Sequence, residues 1–338
     1  MTSPQTITEL ARPAKRELRV LMASPRGFCA GVQRAIDIVE AMIARFGAPI
    51  YVRHEIVHNR AVVDRLQAMG AVFVEDLHDA PQDRPIVFSA HGVPKTVPDE
   101  AARRNMHYVD ATCPLVSKVH REAERFHARG YQLVLIGHRF HPEVEGTIGQ
   151  VPEGTITLVE TEDDVERLKL DPKRPIACLT QTTLSVDETA GLLTKLRERF
   201  DKIIMPDKDD ICYATTNRQQ AVKRIAGACD VFLVVGSPNS SNSCRLVDVA
   251  LKAGAGQAYL IENRAAFDLA LLDQASTIGI SAGASAPESL VEEVLDLLQD
   301  CYDVTLDSPV GAREDIVFRM PPLGCSKARN HRAKPARE

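Results

Sequence analysis

What most constrains the fold is a recurring unit: a short apolar run, a polar loop, then an amphipathic stretch. Leu18–Ala23 precedes SPRGFCAG and the helical stretch Val32–Arg45. Pro85–Ser89 precedes AHGVPK and a helix around Asp99–Asn105, and Tyr108–Ala111 leads through TCP into Leu115–Arg129. Tyr131–Ile136 precedes GHRFHPEVEG, and Ile176–Leu179 precedes TQTTLS and Val186–Phe200. Val231–Val235 precedes GSPNSSNS and Arg245–Ala253, and Thr277–Ile280 precedes SAGASAP and Glu288–Leu298. Apolar runs of about five residues alternating with helices imply parallel α/β units. Ligands of such sheets bind beyond the carboxyl ends of the strands. The unusual polar residues of this chain fall there almost every time, which points to one shared site.

Composition removes several function classes. At 338 residues the chain exceeds one domain of about 150. Lys and Arg number 41 against 46 Asp and Glu, so no net cationic field invites nucleic acid. Aromatics are scarce (Phe 10, Tyr 6, Trp 0), which disfavours a base-stacking surface and leaves the core to Val, Ile, Leu and Ala. No uninterrupted apolar run of about 18 residues exists to cross a membrane as a helix. The first twenty residues lack a secretory apolar segment. The 8 cysteines therefore read as reduced thiols or metal ligands in a reducing cytosol, the expected compartment.

Three cysteines stand at similar places. Cys29 in PRGFCAGV, Cys113 in DATCPLV and Cys212 in KDDICYATTNRQ each follow a turn-rich loop at the start of a helical stretch. They lie roughly one small domain apart, so three converging units would bring them together. Thiolates near helix N-termini have lowered pKa values and suit metal binding or nucleophilic work. Cys178, Cys229, Cys301, Cys325 and Cys244 read as packing residues. No CxxC occurs, which disfavours a zinc ribbon, a thioredoxin site and ferredoxin-type spacing. Three remote cysteines would leave one metal position open, as catalytic sites do.

Other loops add polar groups. GHRFHPEVEG offers His138, His141, Glu143 and Glu145, and Pro142 and Gly146 are expected to keep it out of regular structure. A His and a Glu in one loop supply a hydrogen-bond donor and a proton carrier. His58 in EIVHNR and His91 in SAHGV are two more loop histidines. Ser240, Ser241 and Asn242 in GSPNSSNS, Ser285 in AGASAP and Thr182 in TQTTLS place hydroxyls and amides before helices, a natural anion cradle. Together they favour a phosphate-bearing ligand. The pattern GxxxxGK(S/T) is missing, so P-loop hydrolysis is not supported.

In this order PRGFCAGV, EIVHNR, FSAHGV, DATCPLV, GHRFHPEVEGT, TQTTLSVDET, KDDICYATTNRQ, GSPNSSNS and AGASAP resemble the motif series of the 4-hydroxy-3-methylbut-2-enyl diphosphate reductases. That family closes the non-mevalonate isoprenoid pathway, and the likeness runs from about Val20 to Phe318. The resemblance implies an α/β protein of three small pseudo-equivalent domains in a trefoil around a central iron–sulfur cluster. The expected division is a polar leader at 1–17, domains at 18–111, 112–210 and 211–318, and a basic tail at 319–338. The resemblance makes Cys29, Cys113 and Cys212 the ligands of one 4Fe–4S cluster with an iron free of protein thiolate. It gives His58, His91, His141, Ser240, Asn242 and Ser285 to the diphosphate, with Ser241 beside them. Glu143 becomes the proton donor and Thr182 a hydroxyl orienting substrate and water.

The implied reaction is reductive dehydroxylation of the allylic alcohol to isopentenyl and dimethylallyl diphosphate, with electrons from a donor such as flavodoxin or ferredoxin. Because Lys and Arg are few in the cradle, protonated histidines are expected to help balance the diphosphate. Rival readings are an iron–sulfur hydro-lyase on a phosphorylated substrate, a cluster-based sensor, and a cluster-free phosphoester-binding protein. No nucleic-acid or membrane partner is expected.

Overall fold

The computed structural model describes residues 15–171, 173–205 and 210–324. The chain starts with β1 (Arg16–Met22), α1 (Ala30–Phe46), β2 (Ile50–Arg53), α2 (Arg60–Ala68), β3 (Ala71–Val74), β4 (Ile86–Phe88), α3 (Thr96–Arg103) and β5 (Tyr108–Asp110). It continues through α4 (Pro114–Ala128), β6 (Gln132–Ile136), α5 (Pro142–Ile148), β7 (Ile156–Val159), α6 (Glu162–Arg167), β8 (Ile176–Thr180), α7 (Val186–Arg199) and β9 (Ile203–Ile204). The last third holds α8 (Tyr213–Ile225), β10 (Val231–Val235), α9 (Ser241–Lys252), β11 (Gln257–Ile261), β12 (Thr277–Ala282), α10 (Glu288–Cys301) and β13 (Tyr302–Asp307).

The strands form three parallel sheets, ordered β3-β2-β4-β5, β7-β6-β8-β9 and β11-β10-β12-β1-β13. Strands such as β8 (IACLT) and β10 (VFLVV) are buried throughout, which is why they read as continuous apolar runs. Helices cover the sheets, and separate aliphatic cores fill the spaces between, such as Leu133, Leu135 and Leu179 beneath Val119 and Phe126 of α4. The result is the expected α/β architecture of three units in a trefoil.

Three expectations change. First, β1 does not stay with the 18–111 segment: it pairs with β12 and β13, placing Arg19 opposite Thr277 and Thr305. Arg16 and Glu17, expected in the leader, are its first residues. Second, GHRFHPEVEG is not all loop. Its second half forms α5, because proline at the first helical position sacrifices no backbone hydrogen bond. Third, the serine-rich loop is shorter than expected: α9 starts at Ser241, with Ser240 as its N-cap. The leader as far as 14, and the tail from 325 with Cys325, lie outside the described residues. Among the described residues no helix is long and apolar enough to cross a membrane.

Candidate active site

Each of the three loop cysteines occupies the N-cap of a helix on leaving one sheet for the next unit: Cys29 for α1, Cys113 for α4, Cys212 for α8. Cys29 Sγ accepts from Val32 N–H at 3.5 Å. Cys212 Sγ accepts from Thr215 N–H at 3.4 Å and lies 3.2 Å from its hydroxyl. Cys113 makes no such cap bond, although the amides of Leu115 and Val116 face its sulfur. For Cys113 and Cys212 the expected depression of the thiol pKa is overturned. Burial outweighs the helix ends and pushes Cys113 up to about 12 and Cys212 up to about 11, the neighbouring cysteines adding to both.

The three thiols open into one cavity of about 680 Å³, open solvent at its mouth included. Every site residue expected from the sequence lines it: Cys29, Cys113 and Cys212 with His58, His91, His141, Glu143, Thr182, Ser240, Ser241, Asn242 and Ser285. Among the described residues no three His, Cys, Asp or Glu side chains close on a single metal ion. The donor set instead suits a multi-iron group, since three thiolates arranged around a shared space are the ligands such clusters take. Gly31 keeps that space clear: a Cβ there would stand 2.7 Å from Cys113 Sγ.

The histidines form one wall. His58 and His91 stack with centroids 4.0 Å apart, and His141 meets them edge-on at 5.5 and 5.9 Å. His141 Nδ1 accepts from Glu143 N–H at 3.1 Å, which leaves the proton of the neutral ring on Nε2. His58 Nδ1 lies 3.2 Å from Glu55 Oε2, while its buried Nε2 has no partner. A ligand in the cavity is its natural partner. Burial pushes His141 down to about 3 and His91 well below its ordinary value, with the other ring charges adding to it. These two rings are therefore neutral in the ligand-free protein, contrary to the expected protonation. Neutral rings donate from one nitrogen, without a full positive charge.

Opposite them, the α9 terminus and the loop after β12 interlock. Ser285 Oγ donates to the His58 carbonyl at 2.9 Å and lies 3.3 Å from Ser240 Oγ. Asn242 Oδ1 accepts from Ala284 N–H at 2.9 Å, and its Nδ2 donates to Thr215 Oγ1 at 3.3 Å. Thr183 Oγ1 donates to Ser241 Oγ at 3.2 Å. Thr215 and Glu55 are functional neighbours that sequence reasoning missed. Both had a signal: Thr215 stands three residues after Cys212 at a capping position, and Glu55 opens EIVHNR three residues before His58.

Glu143, on the first turn of α5, is buried. Oε1 accepts from Thr182 N–H at 2.6 Å and Oε2 from Thr182 Oγ1 at 3.0 Å. Burial pushes its pKa up to about 7, the two Thr182 bonds pulling the other way. A carboxyl group near neutrality is suited to deliver a proton at physiological pH.

The profile of the family described as LytB protein matches residues 20–299. The chain belongs to the LytB family. A 4-hydroxy-3-methylbut-2-enyl diphosphate reductase of Cereibacter sphaeroides is 58% identical over 305 residues, covering 90% of this chain and 95% of that one. Another from Phenylobacterium zucineum is 58% identical over 311 residues, covering 91% and 98%. The solved E-1-hydroxy-2-methyl-but-2-enyl-4-diphosphate reductase of Plasmodium falciparum is 36% identical with a TM-score of 0.86, over 90% of this chain and 96% of that one. A solved (E)-4-hydroxy-3-methyl-but-2-enyl diphosphate reductase, called the terminal enzyme of the non-mevalonate pathway, gives 28% and 0.61 over 84% and 99%. LytB proteins depend on iron–sulfur chemistry, and the three converging thiols are suited to it.

Proposed function

We infer that this LytB chain reduces 4-hydroxy-3-methylbut-2-enyl diphosphate to isopentenyl and dimethylallyl diphosphate, the closing step of the non-mevalonate route. The observation that carries the reading is a single cavity that joins three helix-capping thiols to a buried carboxyl group with a pKa of about 7. A 4Fe–4S cluster on Cys29, Cys113 and Cys212 would supply, when bound, the two electrons and a Lewis-acidic iron without a protein thiolate.

The chain's own residues do the rest. His58 Nε2, His141 Nε2, the hydroxyls of Ser240 and Ser285 and the Asn242 amide face the diphosphate, with Ser241 and His91 beside them. Binding energy from this remote group holds the allylic alcohol in place for the reaction. Carbon–oxygen cleavage consumes two electrons and two protons, and the oxygen leaves as water. Glu143 is the proton donor. Thr182 fixes both its oxygens, so the carboxyl group cannot rotate away from the cavity. Buried walls keep bulk water from protonating the reduced allyl unit at random. A one-electron carrier of flavodoxin or ferredoxin type is the proposed reductant.

The test is anaerobic: iron and sulfide counts on freshly purified protein, then turnover with and without reductant. Product formation without reductant would indicate a hydro-lyase, and protein free of iron would sink the assignment.

A further inference from the structure

Each cysteine helix carries a basic residue one and a half turns beyond its thiol, and each reaches into the loop that presents the next cysteine. Arg34 of α1, five residues after Cys29, donates from Nη1 to the carbonyls of Ala111 and Thr112 at 3.2 and 3.1 Å. Those carbonyls immediately precede Cys113. Lys118 of α4, five residues after Cys113, donates to Asp210 Oδ1 at 3.0 Å, and Asp210 stands two residues before Cys212. Asp210 is fixed in turn, its Oδ2 accepting from Thr180 N–H at 3.1 Å. Arg218 of α8, six residues after Cys212, donates from Nε and Nη2 to the Gly27 carbonyl at 3.0 and 2.7 Å and from Nη2 to Phe28 at 3.2 Å. Those carbonyls immediately precede Cys29, and the circle closes.

We propose that Arg34, Lys118 and Arg218 form a cyclic brace that sets the mutual spacing of the three thiols, making them positioning residues for the iron–sulfur group. The proposal rests on the cluster reading above. Several observations favour a built device over chance contacts. Arg218 is fully buried and uses every face of its guanidinium, bonding also to the Ala214 carbonyl and to Glu314. Glu314 belongs to the segment that follows β13, which Asn217 Nδ2 also grips at 3.0 Å. Farther along that segment the Arg319 carbonyl accepts from Arg34 Nε at 2.9 Å, so one strap holds two of the three braces. Carbonyls cannot bond to one another, so at two seams a guanidinium supplies the donors for Ala111 and Thr112 and for Gly27 and Phe28. At the third an ion pair joins Lys118 to Asp210.

The test uses full-length protein reconstituted anaerobically with ferrous iron and sulfide, followed by visible absorption. Arg34→Gln and Lys118→Met are expected to take up less iron and to bleach under a chelator faster than the parent by about tenfold or more, the size usual for groups that orient metal ligands. Lys118→Arg should recover the parent rate. Arg19→Gln, which removes the exposed pair with Asp307, should leave it unchanged. Arg218→Lys is added as the buried member, and apo melting temperatures are read in parallel. Parental bleaching rates in both Arg34→Gln and Lys118→Met overturn the brace, even where melting temperature falls, since a purely structural role would move only the latter. A parent that takes up no cluster, or a Cys113→Ser that takes one up normally, defeats the functional reading itself and is distinguishable from the first result.

Discussion

Glu143 carries two separable properties, a proton and a hydrogen-bonding shape. Gln keeps the shape and loses the proton, so Glu143→Gln is expected to retain iron and substrate binding while turnover falls by about 10²–10⁴-fold. Reductant-driven product formation at saturating substrate, beside an anaerobic binding titration, measures both. A rate within a few-fold of the parent would remove Glu143 from the acid's role. The protonated form is the donor, so in the parent the rate should decline as pH rises through about 7. Thr182→Val refines this. The Thr182 hydroxyl stabilises the charged carboxylate, so its loss should raise the Glu143 pKa and move the alkaline limb to higher pH, visible in a pH–rate profile. The same logic explains what the residues alone could not reveal. His141 and Glu143 were legible as a nearby pair, but their protonation states depend on burial, which no spacing encodes.

Among the elements, the helix starts matter most. Cys113→Ser should lose iron, whereas Cys178→Ala, inside β8, and Cys301→Ala, at the exposed end of α10, should keep it, as an iron assay would show. At the α9 terminus Asn242 ties the Ser285 loop to Thr215, and Asn242→Ala should weaken diphosphate binding by about 1.5–3 kcal/mol. Unchanged calorimetric affinity would place the cradle elsewhere. Long, buried strands and amphipathic helices were readable from sequence, and β10 was read to the residue. The strands β2, β3 and β9 were not, whereas β4 and β5, no longer than β2 and β3, stood out because the polar motifs AHGVPK and TCP follow them. The α5 helix was hidden by its proline, read as a breaker when it stands where a helix tolerates it. Site residues were easier to find than their supports: strand-end motifs mark the former, while the brace partners, 77 to 191 residues apart, are joined only by the fold.

For the molecule as a whole, pH stability follows from its buried imidazoles. His91, His120 and His141 all have folded pKa values pushed below the ordinary 6.5 by burial, His120 to about 4 and His141 to about 3. A lowered folded value means the unfolded chain binds more protons. Stability is therefore full above about 6.5 and should fall as pH drops from there towards about 3. Chemical denaturation of the iron-free protein across that range measures it. The buried carboxyls of Glu143 and Asp210, raised to about 7 and about 6, take up protons in the folded chain and offset part of this fall. The histidine share is therefore read as the difference between the parent and His120→Asn. Identical slopes below pH 6.5 would show that the His120 ring is hydrated in solution.

The placement of β1 also dictates an order of events during synthesis. Its partners β12 and β13 are made long after it, so β1 waits through the synthesis of both four-stranded sheets before it finds its own. The two four-stranded units hold their strands within short stretches and can fold as they emerge. Cys29 sits between β1 and the first of those units, and its loop hangs on the Ala282 and Ala284 carbonyls through Gly27 and Cys29 N–H. The Cys29 corner of the cavity thus stays unanchored until β12 and the loop after it have been made, whereas the other two thiols can be placed earlier.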